Sequence, residues 1–285
     1  MMQHNEEHIL LPDEHKTSFF LESIRNRYGY DFTDYSRMTV KRRLVRFMLR
    51  NNISALDDML EVLLSDNNLF EYFIQEFTIT VTEMFRDPGF FLSLRKNVLP
   101  ALSTYPFIRI WDAGCATGEE LYSLAIMLKE ENLLHKTTIY ATDINQKALT
   151  TAKAGIFDTA AMAAYSENYN LSGGKYSLTD YYHSRFNGAI FDKTLIENVV
   201  FYPHNLVTDT SFNEFHLVVC RNVLIYFNRP LQEKVLALFS GSIIPLCYLA
   251  LGNKETLMMS VQYPRYEVVD VNEKIYRFTG FKNRN

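Results

Sequence analysis

Ten residues carry the densest chemical signal in this chain: Trp111-Asp112-Ala113-Gly114-Cys115-Ala116-Thr117-Gly118-Glu119-Glu120. The apolar run Ile108-Arg109-Ile110 precedes them, and residues 121–128 follow at helical spacing. Strand, glycine-containing turn and helix form the entry to a nucleotide-binding α/β sheet. Gly114 lets the backbone turn and approach a ligand, and Gly118 removes a side chain where the helix begins. The free N–H groups of that helix start suit an anionic group. The spacing is not the G-x-G-x-x-G of dinucleotide sites, and no Lys follows as in a P-loop. Glu119 and Glu120 would repel a pyrophosphate. An acid here fits a positively charged cofactor, such as the sulfonium and ammonium of S-adenosylmethionine. The competing reading is a tight strand-to-helix turn with no ligand.

Other candidates sit where strands should end, and open parallel sheets bind ligands beyond those ends. Asp143 follows a predicted strand and could hold two ribose hydroxyls, or cap the next helix. Asn205 and Leu206 offer an amide and an apolar surface for an adenine edge and face, although Asn205 also suits a plain turn. Cys220-Arg221-Asn222 ends another strand and leads to Tyr226, which is either a site residue or a core aromatic. Upstream, Thr78-Ile79-Thr80-Val81-Thr82-Glu83-Met84-Phe85-Arg86-Asp87-Pro88 supplies hydroxyls and one guanidinium. Arg86 could clamp a carboxylate in bidentate fashion, or pair with Asp87 or a surface acid.

The elements that position these groups fall into two styles. Residues 1–16 read as a loose tail. Helices are predicted near Phe19–Ile24, broken at Tyr28-Gly29-Tyr30, then over 35–51, over 56–64 with an N-cap signature at Ser54 and Asp57, and over 69–77. A linker helix over 88–102 leads into the glycine turn. Strands are then predicted at 108–113, 138–142, 199–202, 215–220, 248–251, 266–269 and 274–278. Helices are expected from Glu119, over 146–154 up to Gly155, and over 231–239. Residues 156–198 read as irregular and aromatic, a possible small β excursion. Alternating strands and helices argue for a mostly parallel sheet.

The 285 residues are 47% hydrophobic and carry net charge −4 with pI about 6.0, so nothing pulls the whole chain toward nucleic acid or anionic membrane. Three cysteines make no disulfide framework and suggest a reducing compartment. No apolar run approaches the ~18 residues of a membrane span. The polar start does not read as a signal peptide, so the chain is expected to be cytoplasmic. The His residues are scattered and no metal site is expected. One charged feature stands out: Arg42, Arg43, Arg46 and Arg50 fall within roughly a 100° arc of an ideal helix, opposite Val40, Leu44, Phe47 and Met48. This stripe is either a solvated face or a dock for an acidic partner helix.

Taken together, the chain resembles the chemotaxis receptor methyltransferases of the CheR type. The resemblance rests on the Thr78–Pro88 block, the Ala113–Glu120 turn, Ala141-Thr142-Asp143-Ile144, His204-Asn205-Leu206, Cys220–Phe227 and Leu251-Gly252. It implies a Rossmann-like S-adenosylmethionine-dependent methyltransferase domain over 86–285, an all-helical N-terminal domain over 17–85, and a small β-subdomain inserted near 160–200. It implies cofactor contacts from Thr80, Thr82, Arg86, Gly114, Glu119, Asp143, Ile144, Asn205, Leu206, Cys220 and Arg221. Arg86 and Tyr226 are the positions the family places beside the transferred methyl. The implied partner is the acidic helical methylation region of chemoreceptors, met by a monomer through the arginine stripe, with S-adenosylhomocysteine as product. The chain departs from the family pattern in four places: Thr80 stands for the usual Asn, Met84 for a common Phe, Asn253-Lys254-Glu255 for His-Ser-Glu, and Cys247 for Gly.

The expected chemistry needs few groups. A glutamate side chain, with reference pKa near ~4.3, is already a nucleophilic carboxylate at neutral pH. Methyl transfer to it calls for alignment and water exclusion rather than a base. Two alternatives stay open: a methyltransferase of this fold acting on another protein or a small molecule, and a non-catalytic cofactor sensor.

Overall fold

Asp13 accepts a hydrogen bond from the His15 N–H and starts helix α1, Glu14–Tyr28, which Gly29 ends in the left-handed conformation at φ 80°. The computed structural model describes residues 13–78 and 82–280. Residues 14–16, expected to be tail, are therefore helical, because Asp13 supplies the cap. The chain divides into two units, Met1–Ile79 with Tyr226–Gln232, and Thr80–Ile225 with Glu233–Asn285.

In the first unit, α2 (Arg37–Arg50), α3 (Leu56–Ser65) and α4 (Asn67–Phe77) follow α1. Ala55, in extended conformation, is the N-cap of α3, so the Ser54 cap signature is not realised. Asp66 caps α4 through the N–H groups of Asn68 and Leu69. The helices bury Ile24, Leu44, Met59, Leu63 and Phe73 completely. The segment from Tyr226 adds to this unit: the Ser36 N–H donates to the Tyr226 carbonyl at 2.7 Å, and the Asn228 N–H donates to the Asp34 carbonyl at 2.9 Å.

The second unit opens with α5 (Pro88–Ser93) and α6 (Leu99–Leu102), joined by a π-helical turn over Leu94–Val98. Then come β1 (Ile108–Ala113), α7 (Glu119–Glu130), β2 (Thr137–Asp143) and α8 (Gln146–Ala154). An insertion follows: β3 (Ile156–Asp158), α9 (Met162–Leu171), β4 (Tyr182–Arg185) and β5 (Gly188–Phe191). The chain returns with β6 (Val199–Pro203), β7 (Phe215–Cys220), α10 (Arg229–Ser242), β8 (Ile243–Leu251), β9 (Tyr266–Asp270) and β10 (Ile275–Phe278).

The main sheet has seven strands in the order β6-β2-β1-β7-β8-β10-β9. The first five pair in parallel, and β10 runs antiparallel to both β8 and β9. This is a Rossmann-like α/β sheet, and its order reverses between β1 and β7, where ligands of such sheets bind. Parallel strands covered on both faces read as continuous apolar runs, and β7 is buried along its whole length. Trp111 anchors the centre: its indole N–H donates to Thr142 Oγ1 at 2.8 Å, and its ring packs on Phe215 and Phe239.

The insertion forms its own antiparallel sheet, β3-β5-β4. One carboxylate fastens it to α7. Glu130, its side chain fully buried, pairs with Arg95 and accepts from the Tyr169 hydroxyl, from the Tyr181 hydroxyl at 2.9 Å and from the Lys175 N–H at 3.2 Å. Helix α9 lies within the stretch expected to be irregular. Its buried positions are Met162, Tyr165 and Tyr169, so the helical period is carried by one methionine and two tyrosines.

Candidate functional site

The glycine turn after β1 is stitched to the end of β2. The N–H groups of Gly114 and Cys115 both donate to the Thr142 carbonyl, at 2.8 and 3.0 Å. Gly114 has φ 91°, and a Cβ there would lie 2.5 Å from a Val223 methyl. Gly118, the N-cap of α7, has φ 100°, and its Cβ would meet the Ala152 Cβ at 2.8 Å. Both positions require glycine, and what crowds them is α8 and the loop after β7.

Asp143 bends back over this turn. It accepts from the Ala116 N–H at 3.0 Å and from the Asn145 N–H at 2.8 Å. The cap of α8 is Asn145, which accepts from the Ala148 N–H at 3.1 Å, so Asp143 is not that helix's cap. Glu119 is buried and takes a 2.6 Å hydrogen bond from the Thr117 hydroxyl. Burial pushes both carboxyls up from their ordinary range, more than the hydrogen bonds bring them down. Ile144 is half-buried beside them.

Asp112 at the end of β1 escaped the sequence reading. It is 1% exposed, and neither carboxyl oxygen has a hydrogen-bond partner among the described residues. Burial raises its pKa well above the usual range, Glu120 and Asp143 raise it further, and Arg221 opposes them. An unpaired buried carboxyl is costly, which marks a place built for something else. The only sequence signal was an acid closing an apolar strand.

At the end of β6 the His204 N–H donates to the Asp143 carbonyl at 3.2 Å. Asn205 spends its side-chain oxygen on the Val207 N–H at 2.9 Å, an Asx turn, and Leu206 beside it is half-buried.

After β7 the expectation changes in physical content. Cys220 is buried within the strand end. Arg221, expected to touch cofactor, is 6% exposed and occupied by protein: it donates to Glu120 and Asp87, each at 2.6 Å, and to the Arg86 carbonyl at 3.0 Å. Its guanidinium lies 4.1 Å from the Phe90 ring centroid. The loop that follows is wrapped on Glu255, whose carboxylate accepts from the N–H groups of Asn222, Val223, Leu224, Ile225 and Gly252 at 2.6–3.4 Å. Glu255 was missed because all its partners are backbone groups.

Arg86 and Thr82 are half-buried, and Thr80 lies outside the described residues. Asp87 does not pair with Arg86. It is held instead by Arg221 and by the Asn253 amide at 3.1 Å, and Arg86 makes no ion pair among the described residues.

In the helical unit, the Tyr226 ring sits under the Arg43 guanidinium at 5.6 Å. Arg43 also donates to the Phe77 carbonyl, and burial lowers its pKa to about 10. It is therefore turned inward rather than presented on the stripe. Arg42, Arg46 and Arg50 are exposed, and Arg50 pairs with Glu76. No helix among the described residues is long and apolar enough to cross a membrane, and no cluster of metal-ligating side chains is present among them.

Comparison with known proteins gives the family. Residues 17–78 match the CheR methyltransferase all-alpha domain, and residues 80–273 match the CheR methyltransferase SAM-binding domain. The chain is 44% identical over 257 residues to "Putative methyltransferase Cher3" of Pseudomonas putida, covering 90% of this chain and 94% of that one. It is 33% identical to the chemotaxis protein methyltransferase 1 of Pseudomonas aeruginosa, over 76% of this chain and 81% of that one. It is 29% identical to the chemotaxis protein methyltransferase of Listeria innocua, over 89% and 95%. With both domains matched in order and the strand-end acids in place, the chain belongs to the CheR family of S-adenosylmethionine-dependent methyltransferases.

Proposed function

We propose that this protein methylates glutamate side-chain carboxylates of chemoreceptors, giving methyl esters. The observation that carries the reading is Arg86: a half-buried residue whose guanidinium has no ion pair among the described residues, in a segment whose neighbouring acid, Asp87, is claimed by other donors. A guanidinium left in this state suits a carboxylate from outside. It can hold the substrate carboxylate, the carboxylate of the cofactor's amino-acid end, or both.

The residues present fit the cofactor. Asp112 offers an ammonium two buried oxygens that have no hydrogen-bond partner among the described residues. Asp143 would take the ribose hydroxyls, Asn205 and Leu206 the adenine, and Glu119, beside the glycine turn, the positive charge of the cofactor. Ile144, Cys220 and Thr82 would line the site, and a cofactor contact is also assigned to Thr80. S-adenosylmethionine supplies a methyl group on a sulfonium, ready for attack. A carboxylate needs no general base at neutral pH, so the protein's contribution is alignment and exclusion of water. Tyr226 is assigned the hydroxyl beside the transferred methyl. Receptor docking is assigned to α2 through Arg42 and Arg46, with Arg50 behind its Glu76 pair. The acidic methylation helices of receptors are the complementary surface, and neither nucleic acid nor membrane insertion is part of this reading.

Asp112 should reveal itself by opposite effects on stability and binding. An acid whose pKa is raised on folding binds its proton more tightly in the native state. Its contribution to stability therefore falls as pH climbs from the ordinary aspartate range toward the raised value. Asp112→Asn should melt at or above the wild-type temperature without ligand, with an advantage that grows with pH. Its affinity for S-adenosylmethionine should drop about tenfold or more, the size of a lost hydrogen bond to a charged group. A melting point below wild type together with full affinity would remove the role.

Arg86→Ala should abolish transfer while the protein stays folded, and Tyr226→Phe should lower turnover more than cofactor affinity. Steady-state kinetics with calorimetry separate the two, and unchanged turnover in either variant removes that assignment.

Docking through α2 should weaken with salt, since exposed charges are screened over about 8 Å at physiological ionic strength. Each exposed pair is worth only about 0.2–1 kcal/mol, so the arginines must act together. The Arg42→Glu, Arg46→Glu variant should raise KM for a receptor fragment and leave cofactor binding intact. Equal KM in the variant and across salt would make the stripe a solvated face.

A further inference from the structure

Arg86 is bracketed by two residues in a conformation that side chains avoid. Phe85 has φ 50° and Asp87 has φ 56°. Left-handed non-glycine residues persist only where their surroundings over-determine them. Here the surroundings do so on both sides. Upstream, the Phe85 ring is buried against Phe91 and Tyr169, and its N–H donates to Ser123 Oγ at 2.8 Å. Ser123 in turn donates to the Glu119 carbonyl at 2.6 Å. Downstream, the two carboxylate oxygens of Asp87 are divided between Arg221 at 2.6 Å and Asn253 at 3.1 Å. Arg221 also holds the carbonyl of Arg86 itself. Every one of these contacts falls on the backbone or the neighbours of Arg86, and none on its guanidinium.

We propose that Asp87 and Asn253 are positioning residues for Arg86: the Asp87 carboxylate, shared between Arg221 and the Asn253 amide, locks the left-handed turn that aims the guanidinium at an incoming carboxylate. The proposal rests on the role given to Arg86 above. It assigns a purpose to Asn253, one of the positions where the chain departs from the family pattern. Asn253 lies on an exposed loop directly after β8, so it ties the end of that strand to the Arg86 segment. Arg221 joins the same acid to the end of β7. The loops beyond two strands are thereby fixed relative to one side chain, and Asp suits the central place because it tolerates the left-handed region better than most residues.

The test uses the full chain saturated with S-adenosylhomocysteine. Nitrogen-15 relaxation of the Arg86 Nε–Hε group, identified by its loss in Arg86→Ala, reads the order of the guanidinium. Asn253→Ala should lower that order while the melting temperature stays within a few degrees of wild type, since the lost contact is on the surface. Asp87→Asn, which keeps the shape and the tolerance for positive φ, should lower it further. On a receptor fragment both variants should lose transfer, Asp87→Asn ~10–100-fold in kcat/KM, the scale of a misplacement of about 1 Å. Asn253→Asp, which sets a second carboxylate against Asp87, should do no better than Asn253→Ala. A guanidinium as ordered in both variants as in wild type overturns the proposal whatever the substrate is. Order that falls while no methyl reaches any receptor leaves the positioning intact and sinks the substrate assignment instead.

Discussion

A buried guanidinium, that of Arg221, is the constraint on which the candidate site depends. Burying a charge is costly unless it is paired and hydrogen-bonded. Arg221 meets that condition with Glu120 on α7, Asp87 at the start of α5, the Arg86 carbonyl and the Phe90 ring. These partners come from two stretches of chain, residues 86–90 and the start of α7, so holding one cation fixes both relative to the end of β7. Glu255 does the same with opposite sign, gathering five N–H donors from the loop after β7 and from Gly252. The two ions turn flexible loops beyond strand ends into a rigid frame, which is what a reaction limited by alignment requires.

The frame surrounds an excess of acid. Asp112, Glu119 and Asp143 are all pushed up in pKa by burial. Such a cluster opposes folding of the empty protein and favours a cationic ligand, the usual exchange of stability for function. A sulfonium and an ammonium relieve it where a phosphate would add to it. The glycines act in the same place by sterics, since side chains at Gly114 and Gly118 would collide with Val223 and Ala152.

What could be read in the sequence followed physical locality. β1, the start of α7, α8 and β7 were legible because apolar runs, a glycine turn and a glycine stop are signals along the chain. The resemblance to CheR proteins implied the Rossmann-like sheet with a helical N-terminal domain, and both are present. Three-dimensional bookkeeping was not legible. Nothing in the order of residues tells that Asn145 rather than Asp143 caps α8, that Arg43 turns inward, or that Arg221 is consumed by Asp87 and Glu120. Asp112 hid inside an apolar strand, and α9 hid in a stretch read as irregular and aromatic, where its buried face is one methionine and two tyrosines.

The central claim is transfer to a side-chain carboxylate. It is tested most directly by supplying S-adenosylmethionine labelled on the transferred methyl together with chemoreceptor cytoplasmic fragments. The account predicts labelled receptor whose label mild base releases as methanol, because a glutamate methyl ester is hydrolysed there and an N-methyl group is not. Base-stable label, or a folded, cofactor-binding protein that labels no receptor, would contradict it.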